Sequence, residues 1–402
     1  MSRRGFACFC GRGALSAVLG LAAFALAACG PRGAAPGPDV VIANAPVTGE
    51  VLGNGAVKVA LLVPLSATGN AGQSGTNFKN AADLAIRDFQ TAGITVLVKD
   101  DRGTPEGARA AASEAIAQGA TLIMGPLFSQ SVTAVAQVAK PAGVPVVAFS
   151  NDATVASPGV YLLSFLPQSD VERIISFATL RGKRSFAALL PSNAYGAIVE
   201  ASLQRAVANA GGRLMAVERY ELDRSAMQAK ATAVAGLVKQ GVVDAVFIPG
   251  NSDEAPFLGQ IFAAAGIDPA KVTYLGSGQW SDEPKILGES ALNGAWYTAP
   301  DNSGYAGFAR RYQSTFGAAP TRTATLAYDA TSLAAGLAAR FGDQRFAAAT
   351  LTNPSGFIGL DGAFRFLPSG LNQRGLVVYQ INRGKVEIVD PAPKTFARAP
   401  GT

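Results

Sequence analysis

From residue 57 onward the apolar and polar positions follow two alternating rhythms. Short, nearly continuous apolar runs at residues 57–63 and 94–98 have the length and branching of strands buried on both faces. Between and after them, residues 77–89 and 106–118 place apolar side chains every three or four positions, the spacing of a helix with one face against a core. The alternation continues through residues 121–124, 131–140 and 144–149. A second series repeats the plan, with strands predicted at 185–190, 213–220, 244–248 and 272–275 and helices at 195–210, 225–239 and 255–265. An apolar run at 294–299, helices at 305–316 and 324–341, and strand-like stretches at 363–366, 375–381 and 386–389 complete the chain. Strand–helix alternation of this kind implies parallel strands joined by right-handed crossovers, with helices on both faces of each sheet. Two series predict two α/β lobes.

The N-terminal pattern is different. Arg3, Arg4 and Arg12 precede an apolar run over residues 14–28 that ends Leu26-Ala27-Ala28-Cys29-Gly30. The run is short for a membrane span and reads as a cleaved export signal, residues 1–28. The small residues before Cys29 resemble the lipobox of bacterial lipoproteins, in which that cysteine is lipidated and becomes the mature N-terminus. Residues 29–55, rich in Pro, Gly and Ala, are then expected to be a flexible tether, and 393–402 a C-terminal tail. Gly30 after Cys29, rather than an aspartate, favours the outer membrane under the enterobacterial sorting rule.

Composition narrows the chemistry. The chain has 402 residues and no histidine, which excludes Ser-His-Asp, Cys-His and zinc-histidine sites. Cys8 and Cys10 leave with the signal, so the folded body carries no thiol. Losing the three signal arginines leaves 31 basic residues against 28 acidic ones, with no basic run or basic-aromatic ladder for nucleic acid. No dinucleotide fingerprint, phosphate loop or nucleophile elbow is present. Asp100-Asp101 ends a strand before the helix start at Thr104-Pro105-Glu106 and reads as a turn rather than a metal pair. Trp280 and Trp296 read as core anchors. No cofactor or metal is expected, and the chain reads as non-catalytic.

Lys58-Val-Ala-Leu-Leu-Val-Pro-Leu-Ser66, Asp100-Asp101, Met124-Gly-Pro-Leu-Phe-Ser129 and Gly143-Val-Pro-Val-Val-Ala-Phe-Ser150 resemble the first lobe of type I periplasmic binding proteins, within them the leucine-binding group. Asn193-Ala-Tyr195-Gly196 fits that group's second lobe, and the resemblance covers residues 57–391. It implies an α/β fold, a bilobed type I clamshell with two doubly wound parallel sheets and three inter-lobe crossings. Lobe one would comprise 56–166 plus 300–356 and lobe two 167–299 plus 357–392, with crossings near Leu166-Pro167, Ala299-Pro300 and Ser355-Gly356.

Two loops carry the candidate binding chemistry. Ser129 opens a helix, and Ser150, Asn151, Ala153 and Thr154 follow a strand, both at the carboxyl ends of parallel strands. Free backbone N–H groups and hydroxyls there suit a carboxylate. The plainer alternative makes Ser129 an N-cap and the second loop a turn. In the family these loops hold an amino acid's α-carboxylate, and Ser129 and Thr154 match those positions. Tyr195, Asn251 and Gln279 are the expected second-lobe contributors. The family's acid for the ligand ammonium falls on Gly278 and its aromatic on Asn251, so Asp253, Glu254 or Asp282 would have to substitute.

The second half also resembles penicillin-binding protein activators, through Phe165-Leu-Pro-Gln-Ser-Asp-Val-Glu-Arg173, Gly182-Lys183, Val243-Asp-Ala-Val-Phe-Ile248 and Gly356-Phe-Ile-Gly-Leu-Asp-Gly-Ala-Phe-Arg365. That resemblance implies a lipid-anchored regulator of peptidoglycan synthesis that contacts a synthase. The other implication is a solute receptor for an ABC permease, taking branched-chain amino acids or related amides. The sequence reading prefers the regulator. Either way the location is the periplasm, held to a membrane by the lipid on Cys29.

Overall fold

The computed structural model describes residues 45–89, 93–269 and 271–396. The export signal and Cys29 expected at the N-terminus lie outside the described residues. Among the described residues no helix is long and apolar enough to cross a membrane.

The first sheet forms from β1 (Val51–Leu52), β2 (Val57–Val63), β3 (Ile94–Asp100), β4 (Ile123–Met124), β5 (Val146–Ala148) and β6 (Val160–Leu162), in the order β1-β3-β2-β4-β5-β6. All pairings are parallel except β1 with β3. Four helices cover it: α1 (Gly69–Asp88), α2 (Pro105–Ala117), α3 (Ser129–Ala139) and, much later in the chain, α10 (Ala324–Arg340). Strand alternation divides the core. Val59, Leu61 and Val63 face α1 and α10, while Ala60 and Leu62 face α2 and α3. The start of α2 is fixed by Pro105 in its first turn and by Thr104, whose side chain accepts a hydrogen bond from the Gly107 N–H.

The second sheet contains β7 (Ser185–Pro191), β8 (Arg213–Tyr220), β9 (Ala245–Phe247), β10 (Thr273–Gly276), β11 (Trp296–Ala299), β15 (Val377–Asn382) and β16 (Lys385–Asp390), in the order β16-β15-β11-β10-β9-β7-β8. Helices α4 (Pro167–Leu180) and α5 (Ala194–Asn209) cover one face, and α6 (Arg224–Lys239) and α7 (Ala255–Ala264) the other. The core is parallel, but β15 runs antiparallel to β11 and β16 to β15. Short α8 (Pro284–Leu287), α9 (Ser303–Phe316) and α11 (Ala348–Leu351) and a small antiparallel sheet of β12 (Phe357–Gly359), β13 (Gly362–Phe366) and β14 (Asn372–Arg374) complete the architecture.

Two boundaries expected from sequence are corrected. The stretch 45–55 is not tether. Val51 and Leu52 pair with β3, the Ala45 N–H bonds the Ala117 carbonyl, and Lys99, buried, donates to the Thr48 carbonyl and to Glu114. An edge strand two residues long carries too little periodicity to stand out among Gly and Pro. The stretch 357–374 belongs to the first lobe rather than the second. Phe364 and Phe366 enter its core beside Tyr161 and Tyr328, and the Leu162 N–H bonds the Gly370 carbonyl. The chain therefore passes between lobes at Leu166-Pro167, at Pro300, and at Gly375-Leu376, where Arg374 is the last residue of β14 and Val377 the first in the second-lobe core. The sequence reading placed that last passage at Ser355-Gly356. Apolar alternation alone does not say which of two similar cores a strand joins.

Candidate functional site

A cavity of about 750 Å³ opens between the lobes. Leu127, Phe128, Phe149 and Asn151 line it from the first lobe, and Ser169, Asp170, Tyr195, Gly278 and Gln279 from the second. All three passages between lobes form part of its wall, through Phe165, Leu166 and Pro167, through Pro300, and through Arg374 and Leu376. Its volume lies within the range that holds a small organic molecule. Aromatic side chains dominate the apolar part. Phe149 is fixed by parallel stacking on Phe78 of α1, ring centroids 5.0 Å apart. Tyr195 presents its ring while its hydroxyl is tied to Ser277 Oγ at 3.1 Å.

Among the carboxyl groups that line the second-lobe wall, Asp170 is the enclosed one. Pro167 starts α4, and Asp170 stands in its first turn. Asp170 Oδ2 accepts from the Gly278 N–H at 3.2 Å, and Oδ1 faces Thr298 Oγ1 at 3.3 Å. Burial pushes the Asp170 carboxyl up to about 7, and these two bonds only partly offset it. A side chain at position 278 would run into this carboxylate, because a Cβ there would lie 3.1 Å from Asp170 Oδ2. Asp170 thus fills from α4 the space that glycine at 278 leaves on the neighbouring loop.

The opposite wall is cationic. Arg374 is 7% exposed, and its Nε donates to the Ser164 carbonyl at 2.9 Å, which also accepts from Asn372 Nδ2 at 2.8 Å. Arg322 forms an ion pair with the fully buried Asp361 at 2.5 Å, and Thr325 Oγ1 donates to the same carboxylate at 2.6 Å. The Phe165 ring centroid is 4.7 Å from the Arg374 guanidinium and 5.3 Å from that of Arg322. Such contacts attract both cations to the aromatic ring. Nearby, Asp329 accepts from the Leu360 N–H at 2.8 Å, and burial together with the Asp361 charge holds its carboxyl well above the usual carboxylate range.

The eight residues expected from sequence divide unevenly. Asn151, Tyr195 and Gln279 line the cavity. Ser129, Ser150, Ala153, Thr154 and Asn251 are not among its lining residues. Ser129 is the first residue of α3 rather than its cap, a position held by Phe128. Ser150 is buried, with Oγ accepting from the Asp152 N–H, and Ala153 and Thr154 form a short 3-10 turn. Asn251 caps its own loop by accepting from the Asp253 N–H. Of the three substitute acids, Asp253 pairs with Lys285 and Glu254 accepts from the Tyr220 hydroxyl. Asp282 does line the cavity but accepts from Asn302 Nδ2 at 3.0 Å. Trp280 is fully buried and donates from Nε1 to the Gly250 carbonyl. Among the described residues no group of His, Cys, Asp or Glu is arranged to hold a metal ion.

Asp170, Arg322 and Arg374 were missed as site residues. A faint signal existed for two of them: Asp170 follows Pro167 immediately after an expected crossing, and Asn372 and Arg374 place polar side chains at the inward positions of a strand.

A family model described as periplasmic binding protein matches residues 56–385. A structure described as a branched-chain amino acid ABC transporter from Rhodospirillum rubrum superposes with a TM-score of 0.73 at 20% identity, covering 83% of this chain and 100% of that one. An ABC-transporter solute binding protein from R. palustris in complex with benzoate gives 0.56 at 18% identity, covering 86% and 98%. At such identities the likeness shows the fold. An uncharacterized protein of Rickettsia prowazekii (strain Madrid E) is 23% identical over 172 residues, 43% of this chain and 45% of that protein. The chain thus spans about half the length of the curated relative it matches.

Proposed function

The chain belongs to the periplasmic binding protein family, and from this we propose that it is a non-catalytic solute receptor of an ABC transporter. The observation that carries the reading is the cavity itself, walled by both lobes and by all three passages between them. Opposed polar groups, a carboxyl on α4 and guanidiniums across the cleft, suit a small organic molecule with an acidic end and a hydrogen-bond donor, such as an amino acid or a related compound. Lipidation at Cys29 would hold the receptor at a membrane in the periplasm, with the permease as its protein partner. The solved neighbours described as transporter proteins weigh towards this reading over the regulator of peptidoglycan synthesis that the sequence favoured.

A ligand that binds only the folded state raises its stability by mass action. Thermal unfolding of the purified protein against millimolar leucine, other amino acids, their amides and aromatic acids is therefore expected to show a rise of several degrees with at least one of them. No shift across that panel, together with recovery of a cell-wall synthase on the protein from solubilised membranes, would return the regulator to first place.

A further inference from the structure

We propose that the anionic group of the ligand docks on Arg374, at the passage between lobes, and that the two first-lobe loops carrying Ser129 and Thr154 are not its carboxylate site. The proposal rests on the receptor reading and specifies its ligand as an organic carboxylate with an apolar or aromatic body.

Two independent observations carry it. The first is an incomplete partner set. Arg374 uses one of its donors on the Ser164 carbonyl, yet Nη1 and Nη2 are buried with no hydrogen-bond partner, and the side chain lines the cavity. A guanidinium offers five N–H donors in a planar fork that matches a carboxylate, and leaving buried donors unpaired is costly. Arg322 does not compete for an anion from elsewhere, because Asp361 already neutralises it. The Asp329 and Asp361 charges act on Arg374 without hydrogen-bonding either Nη atom.

The second observation concerns the two first-lobe loops. Asp152 places its own carboxylate there: Oδ1 accepts from the Thr154 N–H at 3.0 Å and from Thr154 Oγ1 at 2.6 Å. The Ser129 hydroxyl leans on the same group, after the two Thr154 bonds. The donors that would greet a ligand carboxylate are thus occupied by a fixed negative charge of the chain, which would also repel a second anion. Phe165, Phe149 and Tyr305 then offer the apolar surface for the body of the ligand.

The test is calorimetric titration of the protein with phenylacetate, with its neutral isostere phenylacetamide, and with leucine. Phenylacetate is expected to bind more tightly than phenylacetamide, and Arg374→Gln to weaken phenylacetate roughly 10- to 100-fold, the effect of losing a charge-assisted pair. Arg374→Lys keeps the charge without the fork and is expected to fall between. The comparison of acid with amide on the unaltered protein needs no variant, so it decides the matter even if Arg374→Gln unfolds. Binding of leucine or of the amide with no preference for the acid, unchanged in the Arg374 variants, would overturn the anion site and leave the receptor reading standing. Failure of all three compounds to bind would count against both.

Discussion

Two polar regions beside the cleft treat charge in opposite ways. On the first-lobe loop after β5, Asp152 is partly exposed and accepts twice from Thr154, two residues on in the chain, so these donors and their acceptor come from the same short turn. At the third passage, Arg322, Arg374 and Asp361 come from the α9–α10 connection, β14 and the β12–β13 turn, and they meet only in the folded first lobe. A local turn satisfies itself. A wall assembled from distant segments leaves Arg374 with unpaired donors. The lesson is that donors at a strand end become a binding site only where the fold does not already supply their acceptor.

The comparison predicts unequal costs. Asp361→Ala would strand Arg322 beside Phe165 and remove a fully buried acceptor, and is expected to cost about 3–5 kcal/mol in denaturant unfolding. Asp152→Ala removes only the cap of a 3-10 turn and is expected to cost about 1 kcal/mol. Equal costs would mean that the two regions are alike.

Binding sharpens the contrast. With Asp152→Ala the Thr154 donors become free, and phenylacetate affinity measured by titration is expected to change less than about threefold, under about 0.7 kcal/mol. A gain of tenfold or more would show that the first-lobe loop accepts the anion once its own carboxylate is removed. Phe165→Ala, which takes away the aromatic ring near the two guanidiniums, is expected to weaken phenylacetate by about 1 kcal/mol, the size of a cation–aromatic contact at a partly shielded site.

A further effect is electrostatic and concerns the second-lobe wall. Asp170 holds its proton up to about pH 7 in the folded protein, whereas an unfolded aspartate loses it near 4. Between those values the folded state binds more protons than the unfolded one, so this group makes stability fall as pH rises from about 4 to about 7. Asp170→Asn is expected to flatten that part of the unfolding-versus-pH profile without ligand. An unchanged slope would mean that Asp170 is solvated rather than enclosed.

Much of the fold was legible because burial on both faces of a strand leaves an unbroken apolar run. The runs at 57–63 and 94–98 could be read directly, and helices α1, α5 and α6 showed their apolar faces. What escaped was information that sequence spacing does not carry. The pairing of Val51 with Leu97 depends on an edge 46 residues away, and the lobe that takes Phe364 depends on which core has room for its ring. The site was less legible for the same reason. Ser129 and Thr154 stood out because they follow strands, but their donors are already occupied by Asp152. Arg374 drew no notice because its surroundings, Ser164 and Phe165, lie about 210 residues upstream. Gly278 leaves its own loop without a side chain at the cavity, and the carboxyl beside it comes from α4, 108 residues away.

The most direct measurement is a crystal structure of the protein with phenylacetate bound. The account predicts the carboxylate within hydrogen-bonding distance of Arg374 Nη1 and Nη2, the ring against Phe165, and Asp152 still bonded to Thr154. A carboxylate seated on the Thr154 N–H with Asp152 displaced, and Arg374 untouched, would contradict it.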